Sequence, residues 1–123
     1  MDRVAVIAVL LVATTLPAYG ATIDLACRYS PPSGGQIDSR LIIDSDRNTV
    51  SEIWSNDATP GKSYEYALTE VSAQFIRYTD ADAQRTRRVT IDRIAGTLTV
   101  LRTDANGSTQ TISYPCSRAT QKF

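Results

Sequence analysis

Cys27 and Cys116 are the two cysteines of this 123-residue chain, and they stand near opposite ends of the segment that lies beyond an N-terminal apolar run. In an exported protein two such thiols pair. The bond would close nearly the whole of that segment on itself. In the chain-entropy view a loop of that length contributes on the order of 4–5 kcal/mol, comparable with the entire net stability of a small domain. The other use of two thiols is a redox pair or a metal site. The absence of CxxC spacing and of histidine argues against both.

The N-terminus supports export. Arg3 precedes an apolar stretch from Val4 to Val12 that continues weakly to Leu16, Pro17 breaks it, and Ala18-Tyr19-Gly20 supplies small residues for cleavage. This is the layout of a secretory signal peptide over residues 1–20, leaving residues 21–123 as a single domain. The run is shorter than the roughly 20 apolar residues that span a bilayer. Ala21, not Cys, succeeds the expected cut, so no lipid anchor is implied. The expected location is a periplasm or the medium, with no membrane anchor after cleavage.

The chain carries 13 basic and 13 acidic residues, and loss of Asp2 and Arg3 leaves that balance unchanged. Zero net charge and few aromatic residues give no electrostatic or stacking case for nucleic acid.

The mature chain reads as strands and turns throughout. Thr, Val, Ile and Tyr are frequent, and no stretch keeps a helical period. Strands are expected at Ile23–Tyr29, Arg40–Asp44, Thr49–Ser55, Ser63–Leu68, Val71–Thr79, Arg87–Arg93, Thr97–Thr103 and Ser108–Tyr114. Ile23, Leu25, Cys27 and Tyr29 share one face of the first, and Ile112, Tyr114 and Cys116 share parity in the last, so both cysteines point with apolar residues. Loops are expected at Ser30–Ile37, Asn56–Lys62 and Asp80–Thr86, and Asn106-Gly107 marks a tight hairpin.

Ile43-Asp44 to Val50 aligns without gaps to Ile91-Asp92 to Leu98. The shared pattern predicts a repeated hairpin in which Asp accepts backbone N–H groups and Asn48 or Gly96 adopts the left-handed conformation. The fold class is therefore all-β, an antiparallel meander of about eight strands closed by one disulfide. It forms a small barrel or a two-sheet sandwich, and the barrel is preferred because closure removes sheet edges.

No catalytic constellation emerges. Without histidine the usual triad base is missing, and G-x-S-x-G and S-x-x-K are absent. Asp44 to Asn48 resembles the start of a calcium loop, but Thr49 and Ser55 stand where Gly and Glu are required. Asp80 and Asp82 read as turn carboxylates, and Glu52, Glu65 and Glu70 receive no role. Neither a cofactor nor a metal site is expected, and the protein is not expected to be an enzyme.

The remaining candidates form an interaction patch. Arg85, Arg87 and Arg88 are the main charge concentration, with Arg87 sharing parity with Val89 and Ile91 while Arg88 points the other way. A solvated hairpin end is the plainer reading of this cluster. Trp54, with Tyr64 and Tyr66, is either core or a binding surface.

The short leader, the early and late cysteines and the I-D-x-x-x-[NG]-T-[VL] hairpins resemble small secreted single-disulfide β proteins of unknown function from Gram-negative bacteria. In architecture alone the chain is also similar to periplasmic inhibitors of C-type lysozyme. It lacks their Ser- and Gly-containing inhibitory segment, since Ser33-Gly34-Gly35 reads as a flexible loop. The expectation is an exported, non-catalytic module that binds a protein partner in the periplasm or medium through its loops. The alternatives are a carrier whose barrel holds an apolar ligand against Tyr29, Phe75 and Tyr114, or a periplasmic enzyme inhibitor.

Overall fold

A computed structural model of the protein describes residues 22–119, so the expected leader lies outside the described residues. Eight strands succeed one another: β1 (Thr22–Tyr29), β2 (Ile37–Asp44), β3 (Thr49–Trp54), β4 (Ser63–Val71), β5 (Phe75–Ala81), β6 (Arg85–Asp92), β7 (Thr97–Asp104) and β8 (Thr109–Arg118). Each pairs antiparallel with the next, and β8 returns to β1, closing the barrel. Sandwich and barrel are thus resolved in favour of the barrel.

The closure is short. β1 meets β8 in three rungs, Leu25–Arg118, Ala26–Ser117 and Cys27–Cys116. The last rung carries the disulfide, with the two Cα atoms 4.0 Å apart. Beyond it Arg28 and Tyr29 have no backbone register with β8. The β4–β5 seam behaves alike: pairing runs from Leu68–Tyr78 to Val71–Ile76, with a bulge between Leu68 and Glu70, and leaves Ser63–Ala67 without partners on β5. Both seams are therefore backbone-paired at one end of the barrel and unpaired at the other.

The repeated hairpin extends well beyond the turn. Ile43 pairs with Val50, and Val50 with Tyr66. In the second copy Ile91 pairs with Leu98, and Leu98 with Tyr114. Asp44 Oδ1 accepts the amides of Asp46 and Arg47, as Asp92 Oδ1 accepts those of Ile94 and Ala95. Asn48 (φ 58°) and Gly96 (φ 74°) take the left-handed position. Their carbonyls accept the amides of Leu68 and Cys116, at 2.9 Å in each case. Turn chemistry thus sets the register of β2–β3–β4 and of β6–β7–β8 by the same device.

Several boundaries differ from expectation: β2 begins at Ile37, ahead of Arg40, β8 runs past Tyr114 to Arg118, and the turns on either side of β5 lie elsewhere. Residues 72–74 form a turn, closed by Ser72 N–H to the Phe75 carbonyl at 2.8 Å and Phe75 N–H to Ser72 Oγ at 3.0 Å. Val71 and Phe75 therefore belong to different strands. Parity restarts at Phe75, which faces outward beneath the Arg77 guanidinium at 4.5 Å, while Ile76 and Tyr78 face inward. The third expected loop, Asp80–Thr86, is shorter: β5 and β6 stay paired through Asp80–Arg87 and Ala81–Thr86, leaving a turn at 82–84.

Inside, the alternate residues fill the barrel. At the end where the seams are paired the filling is aliphatic: Ile43, Val50, Ile76, Ile91 and Leu98 are each at most 2% exposed. Burying each such side chain is worth about 1.5–3 kcal/mol. Towards the other end the filling turns polar.

Candidate functional site

In an up-and-down barrel alternate connections return to the same end. The connections 30–36, 55–62, 82–84 and 105–108 thus share the end where the seams lack backbone pairing. There the interior opens as a mouth of about 420 Å³, walled by Tyr29, Trp54, Tyr64, Tyr66 and Tyr114 and by charged side chains of neighbouring strands.

Its floor is an ion-pair network. Glu52 lies two residues beyond Val50, so β3 must point it inward, where it is 2% exposed. Arg87 precedes Val89 on β6 in the same way and is 15% exposed. Arg87 Nη2 donates to Glu52 Oε1 at 2.9 Å and to Asp80 Oδ2 at 3.3 Å. Trp54 Nε1 donates to the same Glu52 oxygen at 3.1 Å, and the Tyr78 hydroxyl donates to Oε2. The guanidinium also lies 5.6 Å from the Tyr66 ring centre, and Tyr66 stacks on Tyr78 at 5.8 Å. A buried charge is tolerated only when paired and hydrogen-bonded, and each member of this pair meets that condition.

The network shifts its neighbours' titrations. Burial disfavours the Arg87 cation, but the hydrogen bond and charge of Glu52 more than offset it and raise its pKa. Burial, then the Glu52 charge, pushes Tyr78 well above the usual tyrosine value. The same two causes push Tyr114 up to about 12. At the rim the Tyr64 hydroxyl donates to Asp57 Oδ2 at 2.7 Å, which lowers Asp57 and raises Tyr64.

Of the residues singled out in the sequence, Arg85, Arg87 and Trp54 line the mouth, as do Tyr64 and Tyr66. Arg88 does not join them; it sits exposed on the outer face of β6. The Asp44–Asn48 segment is a hydrogen-bonded turn, and no metal-binding group of His, Cys, Asp and Glu occurs among the described residues. Asp82 caps its turn through the amides of Gln84 and Arg85. Glu65 and Glu70 lie outside, 3.9 Å from Arg47 and 2.5 Å from Arg77.

Sequence reasoning missed Glu52 and Arg102. The signal available for Glu52 was its parity with Val50, which put a carboxylate on an inward face that required a cation. Arg102 stands opposite Arg87 on β7, in phase with buried Leu98 and Val100, and its Nε is buried without an acceptor among the described residues.

A second depression of about 700 Å³ lies beside the seam, lined largely by outward side chains including Arg28, Asp38, Arg40, Ile53 and Pro60. Its cations are already paired: Arg28 with Asp38 at 3.0 Å, and Arg40 with Asp24.

No protein-family model matches the chain, and no curated protein matches it in sequence. A crystal structure named "putative beta-lactamase" from Burkholderia vietnamiensis is similar in fold. It is 18% identical, covers 79% of this chain and 92% of its own, and superposes with a TM-score of 0.56. At that identity the likeness concerns the fold alone.

Proposed function

We propose that the protein is an exported, non-catalytic binding module that recognises its partner at the mouth of the barrel. One observation carries this reading: the two longest loops, the 82–84 turn and an aromatic, charged opening converge on one end of the molecule. Loops held by a rigid barrel are where binding residues concentrate, and aromatic side chains with polar tips favour interfaces.

Several features support a binding role over an enzymatic one. Glu52, the carboxylate most deeply placed, already accepts hydrogen bonds at both oxygens. Asp80 pairs with Arg87, while Asp57 and Asp82 hold rim and turn. The beta-lactamase name of the structural neighbour suggests a direct assay. Incubation with a chromogenic β-lactam is expected to give no turnover above buffer.

The geometry favours the mouth over an apolar ligand deep in the barrel. The axis there is occupied by packed aliphatic side chains and by the stacked Tyr66–Tyr78 pair, and Phe75 faces outward and does not line a cavity. The disulfide is compatible with an oxidising, exported compartment, and with the leader it supports assignment to the periplasm or medium.

A pull-down from periplasmic extract or culture medium tests the reading, using protein with loops 30–36, 55–62 and 82–84 shortened singly and together. Binding is expected to fall with each shortening. Binding retained after all three are shortened contradicts the proposal.

A further inference from the structure

We infer that Trp54 is a stacking platform for a sugar, and that the mouth takes an uncharged pyranose unit of an oligosaccharide against that ring. This rests on the mouth being the binding end and names the chemistry it selects. Trp54 is the chain's single tryptophan. It lies in phase with Val50 and Glu52 on β3, so it projects inward, packs against the core and stays part-exposed. Its edge is pinned, because Nε1 donates to Glu52 Oε1 at 3.1 Å. The other rings of the mouth already have companions. Tyr29 lies against Tyr114 at 5.5 Å, Tyr66 lies on Tyr78 at 5.8 Å, and Lys62 Nζ stands 5.0 Å from the Tyr64 ring centre. No aromatic ring or cation lies on Trp54 among the described residues, and the indole borders both the mouth and the outer depression. A large ring held still by its nitrogen, with open space beside it, is pre-organised for a ligand that stacks.

The surroundings select the kind of ligand. The face of an indole is electronegative, and the C–H groups of a pyranose, drained of electrons by their oxygens, meet such a face well. A cation would also be drawn to it. Here, however, Arg87 Nη2 shares Glu52 Oε1 with the indole, at 2.9 Å, so that carboxylate is already neutralised and the guanidinium beside it repels a second cation. Nor does the opening favour an anion: four carboxylates, Glu52, Asp57, Asp80 and Asp82, offset its three guanidinium groups, Arg85, Arg87 and Arg102. The polar groups left open at the rim are of both kinds. Asn56 and Arg85 are exposed, and their side chains donate to nothing among the described residues. Asp80 and Asp82 each use one carboxylate oxygen and leave the other open as an acceptor. Sugar hydroxyls both donate and accept, so one pyranose meets such a rim while its C–H face covers the indole. The mouth, about 420 Å³, is of the size that small-molecule sites have.

The test uses the mature, disulfide-bonded protein, whose tryptophan emission comes from Trp54 alone. Cellotriose, maltotriose and N,N′-diacetylchitobiose are titrated by fluorescence and NMR at up to about 50 mM, a range that reaches millimolar affinities. Tetramethylammonium and p-cresol are the cationic and flat-ring comparisons. At least one sugar is expected to change the emission saturably, to shift the Trp54 Nε1–H and the Asn56 and Arg85 side-chain signals, and to bind more tightly than both comparisons. Read by NMR, Trp54→Phe is expected to weaken that sugar about threefold and Trp54→Ala about tenfold or more. Arg88→Gln on the outer face leaves it unchanged. If Trp54→Ala fails to fold, Trp54→Phe and the exposed rim variant Asn56→Ala decide in its place, each expected to weaken the sugar. The inference is overturned if none of the three sugars moves the Trp54 signals, or if sugar binding survives loss of the indole. It is equally overturned if tetramethylammonium or p-cresol binds at least as tightly as every sugar, or if the sugars shift only the outer wall around Arg40 and Ile53. The loop-shortened pull-down judges the broader reading separately.

Discussion

Arg87 and Glu52 meet inside the barrel with Nη2 2.9 Å from Oε1, although they stand on β6 and β3 with two other strands between them. The pair ties the two halves of the molecule together from within and forms the floor of the mouth. Removing Arg87 leaves Glu52 buried without a cation, and removing Glu52 leaves the part-buried Arg87 only its longer contact to Asp80, at 3.3 Å. Glu52→Leu should therefore cost about 3–5 kcal/mol in urea unfolding. The double variant Glu52→Leu/Arg87→Met should be more stable than Glu52→Leu alone, because it removes the stranded cation as well. A double variant that is less stable than either single one would show that the stranded partner carries no penalty of its own.

The disulfide sits at the last paired rung of the β1–β8 seam, and the Tyr29–Tyr114 ring contact lies just past it. Replacing Cys27 and Cys116 by Ser should cost about 2–5 kcal/mol. Hydrogen exchange should rise most at Leu25–Tyr29 and Tyr114–Arg118, and least in the β6–β7 hairpin. Uniform acceleration over all strands would contradict a seam opened locally.

Alkali should act through the buried phenols. Tyr78, Tyr66 and Tyr114 are raised in the folded state, Tyr114 to about 12, whereas an unfolded tyrosine titrates near about 10. Between those values the folded protein holds more protons than the unfolded one, so stability falls as pH rises. Their contribution is intact below about pH 10 and is lost through about pH 12 and above. Unfolding midpoints measured from about pH 8 to 12, with phenolate absorbance alongside, check this. Midpoints that stay flat above about pH 10 would count against it.

The repeated turns give a paired comparison. Gly96 and Gly107 both have positive φ, 74° and 91°. A Cβ at Gly96 would lie 3.2 Å from the Cys116 carbonyl oxygen, whereas nothing lies within 4 Å at Gly107. Each Gly→Ala change should cost about 1–2 kcal/mol for the left-handed backbone. Gly96→Ala should cost more than Gly107→Ala, because its neighbour is the backbone of the disulfide residue. Equal losses in urea unfolding would show that the β8 backbone yields freely there.

Much of this fold was legible because its signals are local. Asp, Asn and Gly at fixed offsets marked the 45–48 and 93–96 turns, and the parity of Cys27 and Cys116 gave the closing bond. The turn at 72–74 was harder. Val71, Ala73 and Phe75 alternate as a strand would, yet Ser72 side-chain and backbone hydrogen bonds turn the chain there, and Ile76 and Tyr78 offered a second apolar parity that composition alone does not rank. The site was half legible for a related reason. Arg87 showed its inward phase through Val89 and Ile91, but its partner Glu52 lies 35 residues away, and nothing local announces a pairing across the barrel. Arg102 stayed hidden because a buried donor without an acceptor becomes visible only once neighbours are in place.

Fragment screening by NMR shift mapping tests most directly that the mouth is the recognising end. Binders should perturb the Trp54 indole Nε1–H and the Arg87 and Arg102 side-chain signals, together with amides of 30–36, 55–62 and 82–84. Fragments that gather instead on the outer wall around Arg40 and Ile53, or at the 45–48 and 93–96 turns, with the mouth silent, would contradict the account.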